Sequence, residues 1–125
     1  MTLPLNAKSF VSAMDSADVL DWQVTLSQGS TGLETLQPGE SVASFTVALT
    51  AEAIAAGLQI NTTSGYATLL VGNVITFWLS VTSGSLANAA FLGAGTGFGI
   101  EITITTNANP ARVKQRTVVV TVAQQ

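Results

Sequence analysis

The sequence predicts an all-β fold, a β-sandwich or barrel of short strands. Three observations predict it. Apolar and polar residues alternate with a period of two in several separate segments, which puts one greasy face on each. Turn signals recur about every ten residues. The 125 residues leave no room for the helices that a mixed fold would require.

The elements follow in chain order. Residues 1–17 read as an extended N-terminal arm, since Pro4 with Asn, Lys and Ser opposes a regular element. Its Phe10, Val11 and Met14 are apolar anchors for a neighbour or for the domain itself. From residue 18 onward the chain reads as one sandwich domain, 18–125. Leu20, Trp22, Val24 and Leu26 alternate with Asp21, Gln23 and Thr25, a strand with one apolar face. Residues 28–32 form a loop, 33–36 a short strand and 37–40 a turn. Ala43, Phe45, Val47 and Leu49 alternate with Ser44 and Thr46 in the next strand.

Residues 50–57 carry the one helical hint. Thr50 stands at the N-cap, Glu52 in the first turn and Gly57 at the terminating position. Leu58 and Ile60 begin a short strand, 61–65 a polar turn, and 66–71 a further strand. Gly72-Asn73 supplies a sharp reversal. Ile75, Phe77, Leu79 and Val81 then alternate with Thr76, Trp78 and Ser80. Both faces of that strand carry a large aromatic, as expected at the centre of a sheet. Residues 82–97 form a long Gly/Ala/Ser/Asn-rich loop with Leu86, Phe91 and Leu92 as its apolar members, expected to be mobile until it docks. Phe98, Ile100, Ile102 and Ile104 alternate with Gly99, Glu101, Thr103 and Thr105. Residues 107–110 turn the chain into a last strand over about 112–123.

Composition narrows the function classes. The chain has no cysteine and no histidine, which removes disulfides, thiolate metal sites and the commonest general base. Only 9% of residues are charged, against about 25% in an average soluble protein. Such a surface suits a protein whose faces are covered by neighbours. The net charge of −3 opposes a nucleic-acid partner, which calls for a phosphate-neutralising surface. No run approaches the ~20 apolar residues of a membrane span. No signal peptide is read at the N-terminus, consistent with synthesis in a cytoplasm.

Several individual features admit both a functional and a plainer explanation. Arg112, Lys114 and Arg116 share one parity, which reads either as a basic stripe for an acidic partner or as a solvated strand end. Val118, Val120 and Val122 continue that parity, so either the strand passes from rim to core or a bulge flips its face. Asp15, Asp18 and Asp21 do not match the spacing of a calcium loop and read as an acidic contact patch or as solvated groups. Trp22 shares the parity of the core residues; Trp78 has the opposite parity and is favoured as an interface anchor. The glycine-rich run 93–99 lacks a lysine and precedes a strand, so it is no phosphate loop. Without His or Cys, a nucleophile has no partner base in any recognisable motif, and no catalytic, cofactor-binding or metal-binding constellation is read.

Several short pieces also match a known pattern in order and spacing: Asp18-Val19-Leu20-Asp21-Trp22 near the start, Phe77-Trp78-Leu79-Ser80 in the middle, and residues 100–106, a polar turn and residues 116–120 at the end. The chain resembles small bacteriophage virion proteins of the fibre-tail adaptor family, over residues 15–123. That family carries an acidic "DDVLDY/W" stretch, a central "VWLSGG" and a terminal "YTVTxxITTxxGRTxxRSxxIxV". Departures are the sequence Val81-Thr82-Ser83-Gly84 in place of the glycine pair, a longer loop over 82–97 and a dissimilar stretch over 50–60.

The resemblance implies an Ig-like antiparallel sandwich, no enzymatic activity and a place in the virion. The role implied is a tail- or neck-associated adaptor that attaches fibres or bridges other phage structural proteins (tail, neck, fibre or capsid) and copies of itself. A capsid decoration protein shares the same physical profile. A carbohydrate-binding β-sandwich module is the alternative from another class. The residues expected at an interface are Phe10, Met14, Trp78, Phe91, Leu92, Arg112, Lys114 and Arg116.

Overall fold

A computed structural model describes residues 7–10, 12–26, 36 and 39–124. Among them the strands are β1 (Lys8–Ser9), β2 (Leu20–Thr25), β3 (Val42–Leu49), β4 (Leu58–Ile60), β5 (Leu69–Val71), β6 (Val74–Val81), β7 (Thr96–Thr106) and β8 (Val113–Val122). One helix, α1 (Ala51–Ala56), and two single 3-10 turns, Ser83–Ser85 and Ala89–Phe91, complete the elements. The expected loop at 28–32 and most of the expected strand at 33–36 lie outside the described residues, as does Val11.

The strands form two packed sheets, an all-β sandwich. Sheet A has the order β1-β8-β7-β3, and sheet B the order β2-β6-β4 with β5 also paired to β6. β7 and β8 form a long antiparallel hairpin whose register runs unbroken from Thr96 opposite Val122 to Thr105 opposite Val113. β6 is the spine of sheet B. It pairs with β2 along one edge, and with β4 and β5 in succession along the other. The core is the sum of the inward parities. Trp22, Val24 and Leu26 join Ile75, Phe77, Leu79 and Val81 from sheet B, and Phe98, Ile100, Ile102 and Ile104 join Val118, Val120 and Val122 from sheet A. Each large aliphatic or aromatic side chain fully buried this way contributes about 1.5–3 kcal/mol.

The sandwich has two distinct ends. α1, both 3-10 turns and residues 12–19 lie at one, the helix end. The β5–β6 turn and the β7–β8 hairpin lie at the other, the hairpin end. α1 follows β3 as the helical hint at 50–57 anticipates. Thr50 takes the N-cap place without a side-chain hydrogen bond, and Gly57 ends the helix at φ 102°. Glycine is required there for a second reason, since a Cβ would stand 2.3 Å from Ser85 Cβ.

Three expectations change. Part of the N-terminal arm is an edge of the sandwich: β1 pairs with β8 in parallel, and Met14 bridges Val122 in the same sense. Phe10 N and Met14 N donate to the carbonyls of Val119 and Thr121, so the chain satisfies an otherwise open strand edge. Sheet A is therefore mixed rather than purely antiparallel.

The strand expected over 66–71 is confined to Leu69–Val71. Tyr66 N bonds Thr63 O in a turn, which lifts Tyr66 away from the edge of β6.

The loop expected over 82–97 is tied down, and β7 already begins at Thr96. Phe91 is wholly buried. Gln124 N donates to Phe91 O, Gln124 Nε2 to Leu86 O, and Asn88 Nδ2 to Ala56 O.

Candidate interaction surfaces

The outer faces of the two sheets differ in chemistry. Alternation along β3, β7 and β8 places Ser44, Thr46, Thr103, Thr105, Gln115, Thr117 and Thr121 outward on sheet A, with Glu101 accepting a hydrogen bond from Gln115. This is a hydroxyl-rich carpet that water solvates well.

Sheet B turns a different set outward. Antiparallel partners share a face. Register therefore aligns Val71 with Val74, Leu69 with Thr76, Asp21 with Trp78 and Gln59 with Ser80. The Tyr66 ring meets Trp78 edge-on, with centroids 5.1 Å apart and planes at 84°. Val71, Leu69 and Tyr66 are 73%, 55% and 39% exposed. Trp78 is half-buried under Tyr66. The result is one apolar strip running from the β5–β6 turn up to Trp78, bordered on the β2 side by Asp21, Gln23 and Thr25. Beside Trp78, Gln59 Nε2 donates to Ser80 Oγ, which donates to Asn61 Oδ1.

The eight residues expected at an interface are dispersed. Trp78 lies in the strip of sheet B. Met14 and Phe91 are wholly buried in this chain, so their place is the core rather than a contact surface. The reason is topological: each sits on a connection that crosses an open end of the sandwich, where an apolar side chain caps the space between the sheets. Phe10 is half-buried, its ring 4.7 Å from Trp22 and 6.5 Å from Phe77. It covers Trp22, whose buried Nε1 finds no hydrogen-bond partner among the described residues. Leu92, next to buried Phe91, is exposed at the helix end.

Arg112, Lys114 and Arg116 fall at the hairpin end. The unbroken register of β8 resolves the parity question: there is no bulge, and the strand passes from rim to core. Arg116 is exposed, and its Nη1 donates to Gln115 O. Arg112 precedes the strand. Its Nε lies 3.8 Å from Glu40 Oε2, and its backbone is held by Thr106, which donates N–H to Arg112 O and accepts Arg112 N at Oγ1.

At the helix end, Asp18 Oδ2 accepts from Asp15 N, and Asp15 Oδ2 accepts from Ala17 N, so two carboxylates shape the crossing from sheet A to sheet B. Within the glycine run at 93–99, Gly95 and Gly97 are explained by packing against β8, where a Cβ would meet Val122 O and Val119 Cγ1. No helix among the described residues is long and apolar enough to cross a membrane.

Tyr66, Leu69 and Val71 were missed as surface residues. A signal for two of them was present. A two-residue turn at Gly72-Asn73 fixes residue 71 opposite 74 and 69 opposite 76, which puts both on the face of Trp78. Comparison of the chain with protein-family models, with curated proteins and with solved structures finds no match in any of the three.

Proposed function

We propose that this chain is a non-enzymatic assembly module, a structural protein of a bacteriophage particle that docks neighbouring proteins through the outer face of sheet B. The observation that carries the reading is the apolar strip of Tyr66, Leu69, Val71 and Trp78 on a sheet face whose counterpart across the sandwich is hydroxyl-rich. A face of this kind costs free energy in water and regains it when a partner covers it. The low charge of the whole chain supports the same reading. So does its resemblance to fibre-tail adaptors, in which an Ig-like sandwich joins tail or neck to fibres. Capsid decoration is the variant of this role that meets the same physical demand.

The test is incorporation into particles. Quantitative mass spectrometry of purified particles should detect the chain at a fixed ratio to a known structural protein. Leu69→Lys with Val71→Lys should lower that ratio at least about tenfold while the isolated domain keeps its stability. Absence of the unaltered chain from particles would overturn the reading.

A second reading draws on the pairing of Trp78 and Tyr66 beside Asp21, Gln23 and Gln59. An aromatic pair flanked by amide and carboxylate groups is also how a sheet face holds a sugar ring. Glycan-array binding by the isolated monomer, lost on Tyr66→Ala, favours this alternative.

A further inference from the structure

Among the described residues, every open strand edge except that of β3 is blunted. β1 has two residues, one of them Lys8, and β4 and β5 have three each. β2 has six, with Asp21 among them. Shortness and charge both oppose the addition of a further strand. β3 has eight residues with neither a charge nor a proline, and its one irregularity lies at its start, between Val42 and Ser44. Among the described residues nothing pairs with β3 on the side away from β7.

The hydrogen-bond phase fixes what that side presents. Hydrogen-bonded and non-hydrogen-bonded pairs alternate along an antiparallel ladder. Thr50 N donates to Gly99 O, so the main chain of Ala48, Thr46 and Ser44 is turned toward β7. The main-chain N–H and C=O groups of Leu49, Val47 and Phe45 point to the open side. The side chains of the same three residues face the core and are only half-buried. Ser44, Thr46 and Ala48 are exposed on the outer face.

This phase selects the occupant of the edge. Residues paired across two strands place their side chains on one face. At the edge of β2 the phase is opposite: Leu26 N donates to Asn73 O, so the open side presents the main chain of Asp21, Gln23 and Thr25, whose side chains lie outward. A β3–β2 contact between copies would therefore align Phe45, Val47 and Leu49 with Asp21, Gln23 and Thr25. A parallel β3–β3 contact would turn one copy over and set the two core faces on opposite sides. An antiparallel β3–β3 contact keeps both core faces on the same side. We propose that two copies of this chain join edge to edge through β3, antiparallel about a two-fold axis at Val47. Val47 then opposes its own counterpart, and Phe45 opposes Leu49 of the second copy. That register engages all three outward-turned main-chain sites and stops short of the irregularity at Val42 and Ser44. The half-buried Phe45, Val47 and Leu49 of both copies become one apolar row. No charge lies on either strand, and Glu101, opposite Ala48 on β7, stays one strand back in each copy. The inference rests on the assembly reading in that it names one partner as a second copy. It uses different residues from the sheet B strip, so particle incorporation and self-association fail independently.

The experiment is sedimentation velocity on the full chain up to about 1 mM, with disulfide trapping as its second arm. A dimer is expected to grow in with concentration. Val47→Pro removes the amide hydrogen on the open side and spares the ladder to β7, so it should weaken the dimer at least about tenfold. Circular dichroism checks that the variant is folded. Leu69→Lys with Val71→Lys should dimerise like the unaltered chain. The chain has no cysteine, so trapping is free of background. In the proposed register Thr46 faces Ala48 of the second copy as a non-hydrogen-bonded pair, with Cα atoms about 4.5 Å apart, within reach of a disulfide. Identical positions lie on the diagonal at about 7–8 Å, beyond that reach. Mixed Thr46→Cys and Ala48→Cys chains should therefore cross-link on oxidation, and each variant alone should not. A chain that stays monomeric at about 1 mM, a dimer that folded Val47→Pro leaves unchanged, or a mixture that cross-links no better than the single variants overturns the proposal.

Discussion

Gly95 stands so close to Val122 that a Cβ at position 95 would lie 2.2 Å from the Val122 carbonyl oxygen. The glycine has φ 77°, and its N–H closes the turn after Phe91 by bonding Leu92 O. Two requirements coincide there, a left-handed backbone and direct contact with the β8 main chain. Gly93 has only the first requirement, with φ 62° and nothing within 4 Å of its missing Cβ. Gly95→Ala should cost about 3 kcal/mol, and Gly93→Ala about 1 kcal/mol. Urea unfolding midpoints of the two variants provide the comparison. Equal costs would mean that β8 yields easily at this point.

Phe91 is the plug of the helix end. It is wholly buried, and its ring lies edge-on to Phe98 at 6.0 Å. Phe91→Ala should destabilise the domain by about 3–5 kcal/mol through the cavity it leaves. Amide exchange at Gln124, whose N–H is held by Phe91 O, should speed up with it. Retained protection there would show that the loop is held by its backbone bonds alone.

Thr106 ties the hairpin end together. Its hydroxyl oxygen accepts the amides of Arg112 at 3.1 Å and Ala108 at 3.4 Å, and the residue is 1% exposed. Thr106→Val keeps the shape and strands these donors, so a loss of about 2 kcal/mol is expected in chemical denaturation. Thr106→Ser keeps the oxygen and should retain most of the stability.

Phe10 links the N-terminal edge to the core through Trp22. Phe10→Ala should lower stability by about 2 kcal/mol and admit water to the indole. Tryptophan emission should then move to longer wavelength. Trp78→Phe, which keeps Trp22 as the only tryptophan, makes the assignment unambiguous. An unshifted spectrum in the Phe10→Ala, Trp78→Phe chain would indicate that Trp22 is shielded by other groups.

Much of the sandwich was legible in the chain because alternation is a local property. Trp22 follows the parity of Leu20, Val24 and Leu26, and it is buried; Trp78 opposes the parity of Phe77 and Leu79, and it lies on the outer face. The helix at 51–56 was legible from its punctuation, with glycine at the left-handed end. Parity says nothing about what lies across from a face. Phe10, Met14 and Phe91 sit in segments without alternation, so their burial depended on where those segments cross the ends of the sheets. For the same reason the apolar strip was only half visible: Leu69 and Val71 follow from a tight turn, whereas Tyr66 joins Trp78 through an irregular one.

By itself the sequence determined the strand faces, the reversals and the scarcity of charge, because each depends on residues within a few positions of one another. The tertiary structure alone decided that Lys8, Ser9, Phe10 and Met14 close the edge of β8 more than a hundred positions away. It also buried Met14 and Phe91, since only the way their segments cross the ends of the two sheets sets what those side chains face.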